Sequence, residues 1–238
     1  MQVCSKPFAK DQNFSVRNVL SSAPKALVRL AAAAASTLFL AACNTTSAPQ
    51  PEAPSLFSSL DVQRYSAVTD EAFHVPAVEL AELKPENMRQ LVDYPTRHAP
   101  GTLVVDPHQR FLYLVQEGGK ALRYGVGVGK AGLEFSGTAV VNHKRKWPNW
   151  TPTPNMIARE PDRYAKWASG MKGGESNPLG ARALYLFKDG KDTLYRIHGT
   201  NEPATIGEAV SSGCIRMMNQ DVIDLYNRIP NGSKVVVL

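Results

Sequence analysis

The sequence predicts a mainly β protein, a mixed sandwich or barrel-like domain with one main helix. Three observations predict it. Short runs of alternating apolar and polar residues recur from residue 102 onward, each closed by Gly, Pro, Asn or Asp. Only residues 219–229 carry a convincing helical repeat, against about seven short strands. The composition, 43% hydrophobic and 20% charged, is that of an ordinary globular protein, and no internal repeat interrupts it.

Taken in order, the chain opens on a leader. An apolar run from Leu30 follows Lys25 and Arg29 and is too short to span a bilayer, but it has the length of a signal-peptide core. It ends in Leu40-Ala-Ala-Cys43, which resembles a bacterial lipobox. Residues 1–42 therefore read as a lipoprotein-type signal peptide with Cys43 as the lipidated residue. Ala-x-Ala cleavage of an ordinary secretory signal also fits, and both readings export the protein. The polar segment before Lys25 is long for either. Residues 43–60, rich in Pro, Ala and Ser, read as a flexible tether. Residues 61–100 read as an extended arm, because Pro76, Pro85, Pro95 and Pro100 interrupt its apolar spacing. A short helix is expected over 85–91, with His74 and His98 at the surface.

The main domain is expected over 101–238. Strands are predicted at 102–105 and 111–116, joined by a turn, and at 121–128 and 138–146. Gly125-x-Gly-x-Gly129 lacks the dinucleotide-binding spacing and reads as a bent strand. Residues 147–154, with Trp147, Trp150 and three prolines, must form a surface loop. A helix is expected around 162–168, then a Gly-rich loop, then paired strands at 184–187 and 193–197. The main helix at 219–229 takes Asn219 as its cap and Asp221 in its first turn, with Val222, Ile223, Leu225, Tyr226 and Ile229 inward. A strand at 234–238 closes the chain.

The net charge of +6 is concentrated at the start. Residues 1–43 hold Lys6, Lys10, Arg17, Lys25 and Arg29 against Asp11, leaving 22 basic and 20 acidic residues in the remainder. That balance implies no nucleic-acid partner. With Cys4 removed and Cys43 acylated, Cys214 is the remaining thiol and no disulfide is expected.

The stretch that concentrates chemistry runs from Leu194 to Met217. Alternation over 194–197 delivers His198 to a strand end at Gly199, and Ser211-Ser-Gly213 forms a tight turn before Cys214. A cysteine becomes a strong nucleophile as thiolate, and its pKa falls beside a histidine or a helix N-terminus. Backbone N–H groups of the Ser212–Cys214 turn, with Gly213 letting them converge, suit an oxyanion. Spacing by itself leaves a second reading open, a small buried hydrophobe and a hydrogen-bonded ring. Arg216 suits a substrate carboxylate or carbonyl, or a structural ion pair such as one with Asp221. Trp150 borders a substrate groove or covers the core. Zinc usually needs three or four ligands, and His108 and His143 show no ligand spacing, so neither metal nor cofactor is expected.

The full string His198-Gly-Thr…Ser211-Ser-Gly-Cys-Ile-Arg-Met217 resembles the active-site signature of the L,D-transpeptidases, the YkuD (ErfK/YbiS) domain of peptidoglycan cross-linking enzymes. The resemblance covers about residues 101–238, including Gly101-Thr-Leu-Val-Val-Asp106, Asn177-Pro-Leu-Gly-Ala-Arg182 and Ile206-Gly207. Many members carry His where this chain has Ser212. The resemblance implies Cys214 as nucleophile, His198 as base and the Gly199 carbonyl as the group orienting its ring. It implies a peptidoglycan tetrapeptide stem as donor, cut before its terminal D-Ala, and a stem side-chain amine as acceptor, giving a 3→3 cross-link. Water, or an amine of an outer-membrane protein, would be alternative acceptors of the same thioester. A non-catalytic wall-binding lipoprotein is the third class, and the intact Cys–His pair argues against it. The expected location is the periplasm, lipid-anchored, with the outer membrane favoured.

Overall fold

The computed structural model describes residues 57–129, 135–211 and 213–238; Cys43, with the expected leader and most of the tether, lies outside them. In chain order the strands are β1 (Gln90–Asp93), β2 (Leu103–Asp106), β3 (Phe111–Val115), β4 (Lys120–Gly125), β5 (Val128–Gly129), β6 (Gly137–Lys146), β7 (Arg182–Lys188), β8 (Lys191–His198), β9 (Ala209–Ser211), β10 (Ile215–Arg216) and β11 (Lys234–Val237). The helices are α1 (Ser59–Arg64), α2 (Pro154–Arg159), α3 (Pro161–Tyr164) and α4 (Asn219–Arg228).

Nine strands form one mixed sheet in the order β1-β4-β3-β2-β11-β6-β7-β8-β10, and β5 pairs with β9 as a separate parallel pair. The mainly β expectation holds. The β2–β3 turn shows how the sequence sets a corner: Asp106 Oδ1 accepts the N–H groups of His108 and Gln109, both at 2.9 Å. β11 inserts between β2, to which it runs parallel, and β6. Leu103, Leu112, Val141, Leu184, Ile197 and Val235 supply a core that α4 covers with Val222 and Leu225. Burying those two helix side chains contributes about 3–6 kcal/mol.

The arm departs from expectation in detail. The helix expected at 85–91 is a single 3-10 turn, Pro85–Asn87, after which the chain becomes β1 and pairs antiparallel with β4. An open strand edge outcompetes a helix that a proline starts and nothing sustains. Ser58 caps α1, a helix unforeseen where tether and arm meet. Tyr65, Leu83 and Met88 of the arm pack with Ile206 and Met218 of the main domain. Asn219 is not a cap: Met218 holds that position, and the Asn219 side chain bonds Ala181 and Thr200 instead. In place of one helix over 162–168 the chain makes short pieces from Pro154 onward: α2, then α3 opened by Pro161, then a 3-10 turn over Ala165–Trp167. The strand expected over 121–128 ends at Gly125, where any Cβ would lie 2.5 Å from the Asn87 carbonyl oxygen.

Candidate active site

The site begins with the register of β8 and β10. These short strands run parallel with Ile215 beside Ile197 and Arg216 beside His198. Side chains alternate across a strand, so Ile197 and Ile215 enter the core together, as their membership of one buried cluster shows. Arg196, His198 and Arg216 therefore share the opposite face, and Cys214, immediately before β10, lines the same cavity as His198 and Arg216. Met217 N–H donates to the His198 carbonyl at 2.8 Å and fixes the pairing beyond its last residue.

His198 is buried, and its Nδ1 lies 2.6 Å from the Gly199 carbonyl oxygen. A carbonyl only accepts, so Nδ1 carries the proton and Nε2 keeps its lone pair. Burial pushes the imidazole pKa down to about 4; the Gly199 hydrogen bond opposes this, and the Arg216 and Arg196 charges add to it. Cys214 is half-buried as a residue and forms no disulfide among the described residues. Its Sγ lies 4.0 Å from the Leu194 carbonyl oxygen. Burial pushes the thiol pKa up, against the Arg196 backbone amide and the Arg196 and Arg216 charges, which pull it down. Low-dielectric surroundings disfavour both charged forms, and the pair rests as thiol and neutral imidazole.

Gly213, at φ 123°, makes the turn into Cys214 in a conformation that favours glycine. A Cβ on Gly129 of β5 would lie 2.7 Å from the Gly213 Cα, so the strand backs directly onto this turn. Ser212 lies outside the described residues. Arg216 pairs with Glu202 at 3.2 Å, not with Asp221. Asp221 is fully buried on the arm side of α4, where Tyr65 Oη bonds both its oxygens and Arg89 lies 3.9 Å away.

His198, Cys214 and Arg216 line a cavity of about 400 Å³ together with Trp150, Tyr164 and Glu202. Trp150 packs edge-on against Tyr164, with ring centroids 6.1 Å apart, so it serves wall and packing at once. Its backbone exchanges two hydrogen bonds with Met171, at 2.9 and 2.7 Å. The structure thus gathers Cys214, His198, Gly199, Gly213, Arg216 and Trp150 around one place. Sequence reasoning missed Arg196, which counting back two residues from His198 would have found, and it missed Glu202. Arg196 is held by a two-pronged contact with Asp192 at 2.6 and 2.8 Å and lies over the Tyr185 ring at 4.3 Å.

A reduced cysteine and a histidine with one lone pair fixed, at the floor of a peptide-sized cavity, form the arrangement that thiol-based acyl transfer requires. The family model described as YkuD, L,D-transpeptidase catalytic domain, matches residues 100–237, and the chain belongs to that family. It is 33% identical over 140 residues to the probable L,D-transpeptidase ErfK/SrfK of Escherichia coli (strain K12), covering 58% of this chain and 44% of that protein. It is 55% identical over 60 residues to the putative L,D-transpeptidase YkuD of Bacillus subtilis (strain 168), covering 25% of this chain and 34% of that one. The chain spans about half the length, or less, of the curated relatives it matches. A solved structure titled as a probable carnitine operon oxidoreductase from Brucella melitensis is 52% identical, covering 67% of this chain and 99% of that chain. Its TM-score is 0.46, too low to carry fold or function across.

Proposed function

We propose that the protein is a peptidoglycan L,D-transpeptidase whose acyl carrier is Cys214. The observation that carries this reading is one cavity lined by both Cys214 and His198, the latter with its Nε2 lone pair fixed by the Gly199 carbonyl. Nε2 takes the thiol proton as Sγ attacks the carbonyl that joins the third stem residue to the terminal D-Ala. Because both partners start neutral, proton transfer accompanies attack, as general-base catalysis requires. The oxyanion forms against backbone amides of the turn at Gly213 and Cys214. Collapse breaks the C–N bond, Nε2–H protonates the leaving D-Ala nitrogen, and a thioester remains on Cys214. The side-chain amine of a second stem then attacks the thioester, its proton passes through Nε2, and the thiol is released with a 3→3 cross-link formed.

Trp150 forms part of the donor wall. Arg216, its guanidinium engaged by Glu202, presents its remaining donors to the stem. The exported chain is anchored by a lipid on Cys43 in the periplasm, at the outer membrane, with residues 44–60 as a tether to the wall. The test is incubation of the purified protein with tetrapeptide-bearing sacculi, followed by separation of the fragments. Equal amounts of D-Ala and 3→3 dimers are expected. Release of D-Ala with tripeptide only assigns water as acceptor, and a protein–peptide conjugate assigns a protein amine. No D-Ala and no thioester would overturn the assignment.

A further inference from the structure

The chain leaves the sheet after Lys146 of β6 and returns at Arg182 of β7, residues that face each other in register. The excursion between them supplies Trp150, Tyr164 and Met171 to the cavity that holds Cys214 and His198. Its two roots, Trp147 and Arg182, are gripped by a single carboxylate from the arm. Trp147 Nε1–H donates to Glu71 Oε2 at 3.0 Å. Arg182 donates from Nη1 to the same oxygen at 3.0 Å and from Nη2 to the other. The Arg182 side chain is 2% exposed and that of Glu71 15%, so the contact is shielded from solvent. Phe73 adds its ring edge-on to Trp147, centroids 5.1 Å apart, and the His74 N–H donates to Glu175 of the excursion at 3.2 Å.

The arm is shaped to deliver these groups. Val68 and Val75 exchange two backbone hydrogen bonds, at 2.9 and 3.1 Å, closing residues 68–75 into a loop that presents Glu71 and Phe73 together. The Glu71 carboxylate bonds the two roots of the excursion, Trp147 and Arg182, rather than the strand that carries His198. A two-pronged carboxylate–guanidinium contact fixes angle as well as distance, which suits it to setting the pose of a wall. The Glu71 carboxyl is held below the usual range, first by its hydrogen bond to Arg182, so the contact is charged at neutral pH.

We propose that the 68–75 loop is a clasp on the roots of the 147–181 excursion, and that Glu71 is a positioning residue that sets the wall against which the donor stem lies. The identity of that stem rests on the transpeptidase reading; the clasp itself does not.

The test compares the full chain with Glu71→Gln, Phe73→Ala and, as a control on an exposed neighbour, Asp70→Asn. Backbone hydrogen exchange is followed in peptides covering 147–177 and 183–198, and single-turnover acylation of Cys214 is followed against tetrapeptide concentration. In Glu71→Gln and Phe73→Ala, exchange over 147–177 is expected to quicken about tenfold while 183–198 stays as protected as in the parent. The half-saturating tetrapeptide concentration is expected to rise about tenfold, equivalent to about 1.4 kcal/mol, with the maximal acylation rate within about twofold of the parent. Asp70→Asn should match the parent. Unchanged exchange over 147–177, equal loosening of 183–198, or a fall in maximal rate at constant half-saturation would overturn the proposal. Should Glu71→Gln fail to fold, Phe73→Ala carries the same expectations. A parent that exchanges as expected yet forms no thioester would sink the transpeptidase reading and leave the clasp standing.

Discussion

The two sides of the cavity are built by different means. The floor, with Cys214 and His198, rides on strands whose alternate residues Ile197 and Ile215 are locked into the apolar core. The wall, over residues 147–181, leaves the sheet and is held mainly by polar contacts. Asn177 is fully buried and donates to the carbonyls of Pro148, Met171 and Lys172 at 3.0–3.4 Å, while its Oδ1 accepts the Leu179 N–H. Arg182 and Glu71 close the base. Apolar register fixes a position tightly and tolerates little. A polar staple fixes a pose that depends on every partner being present. The chemistry and the recognition of the donor should therefore come apart under mutation.

The largest effect is expected at the floor. Cys214→Ala should abolish turnover while leaving the fold intact, measured as D-Ala release and thermal unfolding. His198→Ala should lower the maximal acylation rate by about 10²–10⁴-fold, the usual share of a general base. Retention of the parent rate would remove His198 from the mechanism.

Next comes the wall. Asn177→Ala removes the amide that donates to the Pro148 and Lys172 carbonyls and accepts the Leu179 N–H, while the Met171 carbonyl keeps the Trp150 N–H, and it should destabilise the protein by about 2–4 kcal/mol, read in a denaturant titration. A cost below about 1 kcal/mol would mean water replaces the side chain and the staple is weaker than its geometry implies.

The pH dependence sharpens the contrast further. The folded pKa of His198, about 4, lies below the ordinary 6.5, so its contribution to stability is full above 6.5 and is lost as pH falls through 4. Asp221, raised to about 7 by burial, has the opposite sign: its contribution is present below the ordinary 3.8 and is lost as pH rises through 7. Replacing Asp221 with Asn should flatten the alkaline side of the stability profile while the acid side persists. The same neutral pair predicts slow iodoacetamide alkylation of Cys214 at pH 7, rising only above the ordinary thiol range near 8.5. Rapid alkylation that stays flat into the acid range would restore the ion pair and contradict the burial argument.

The sequence was informative where structure is local. Alternation ending at Gly199 placed His198 at a strand end, and small residues before Cys214 announced the turn. Most strands of the main domain were legible to within a residue or two, but the one expected over 121–128 ends three residues early and β1 was not foreseen. What stayed hidden was long-range. Glu71 meets Arg182 across 111 residues of chain, and no local pattern links them. Asn177 and Arg182 stood in a quotable string, but buried polar staples look like any loop residues until their carbonyl partners are known. β9 and β10 hold three and two residues, too few for periodicity to register. The charge states of Cys214 and His198 are hidden for a related reason: the sequence names the two residues, but burial shifts their pKa values.

The division between floor and wall is tested most directly by single-turnover acylation of Cys214, followed by intact-protein mass spectrometry across tetrapeptide concentrations in His198→Ala and Trp150→Ala. Here His198→Ala is predicted to lower the maximal rate at unchanged half-saturation. Trp150→Ala is predicted to raise half-saturation by roughly tenfold, about 1.4 kcal/mol, at a nearly unchanged maximal rate. If both substitutions shift the same parameter, or if no acyl adduct forms on the folded and reduced protein, the division between a chemical floor and a recognising wall is wrong.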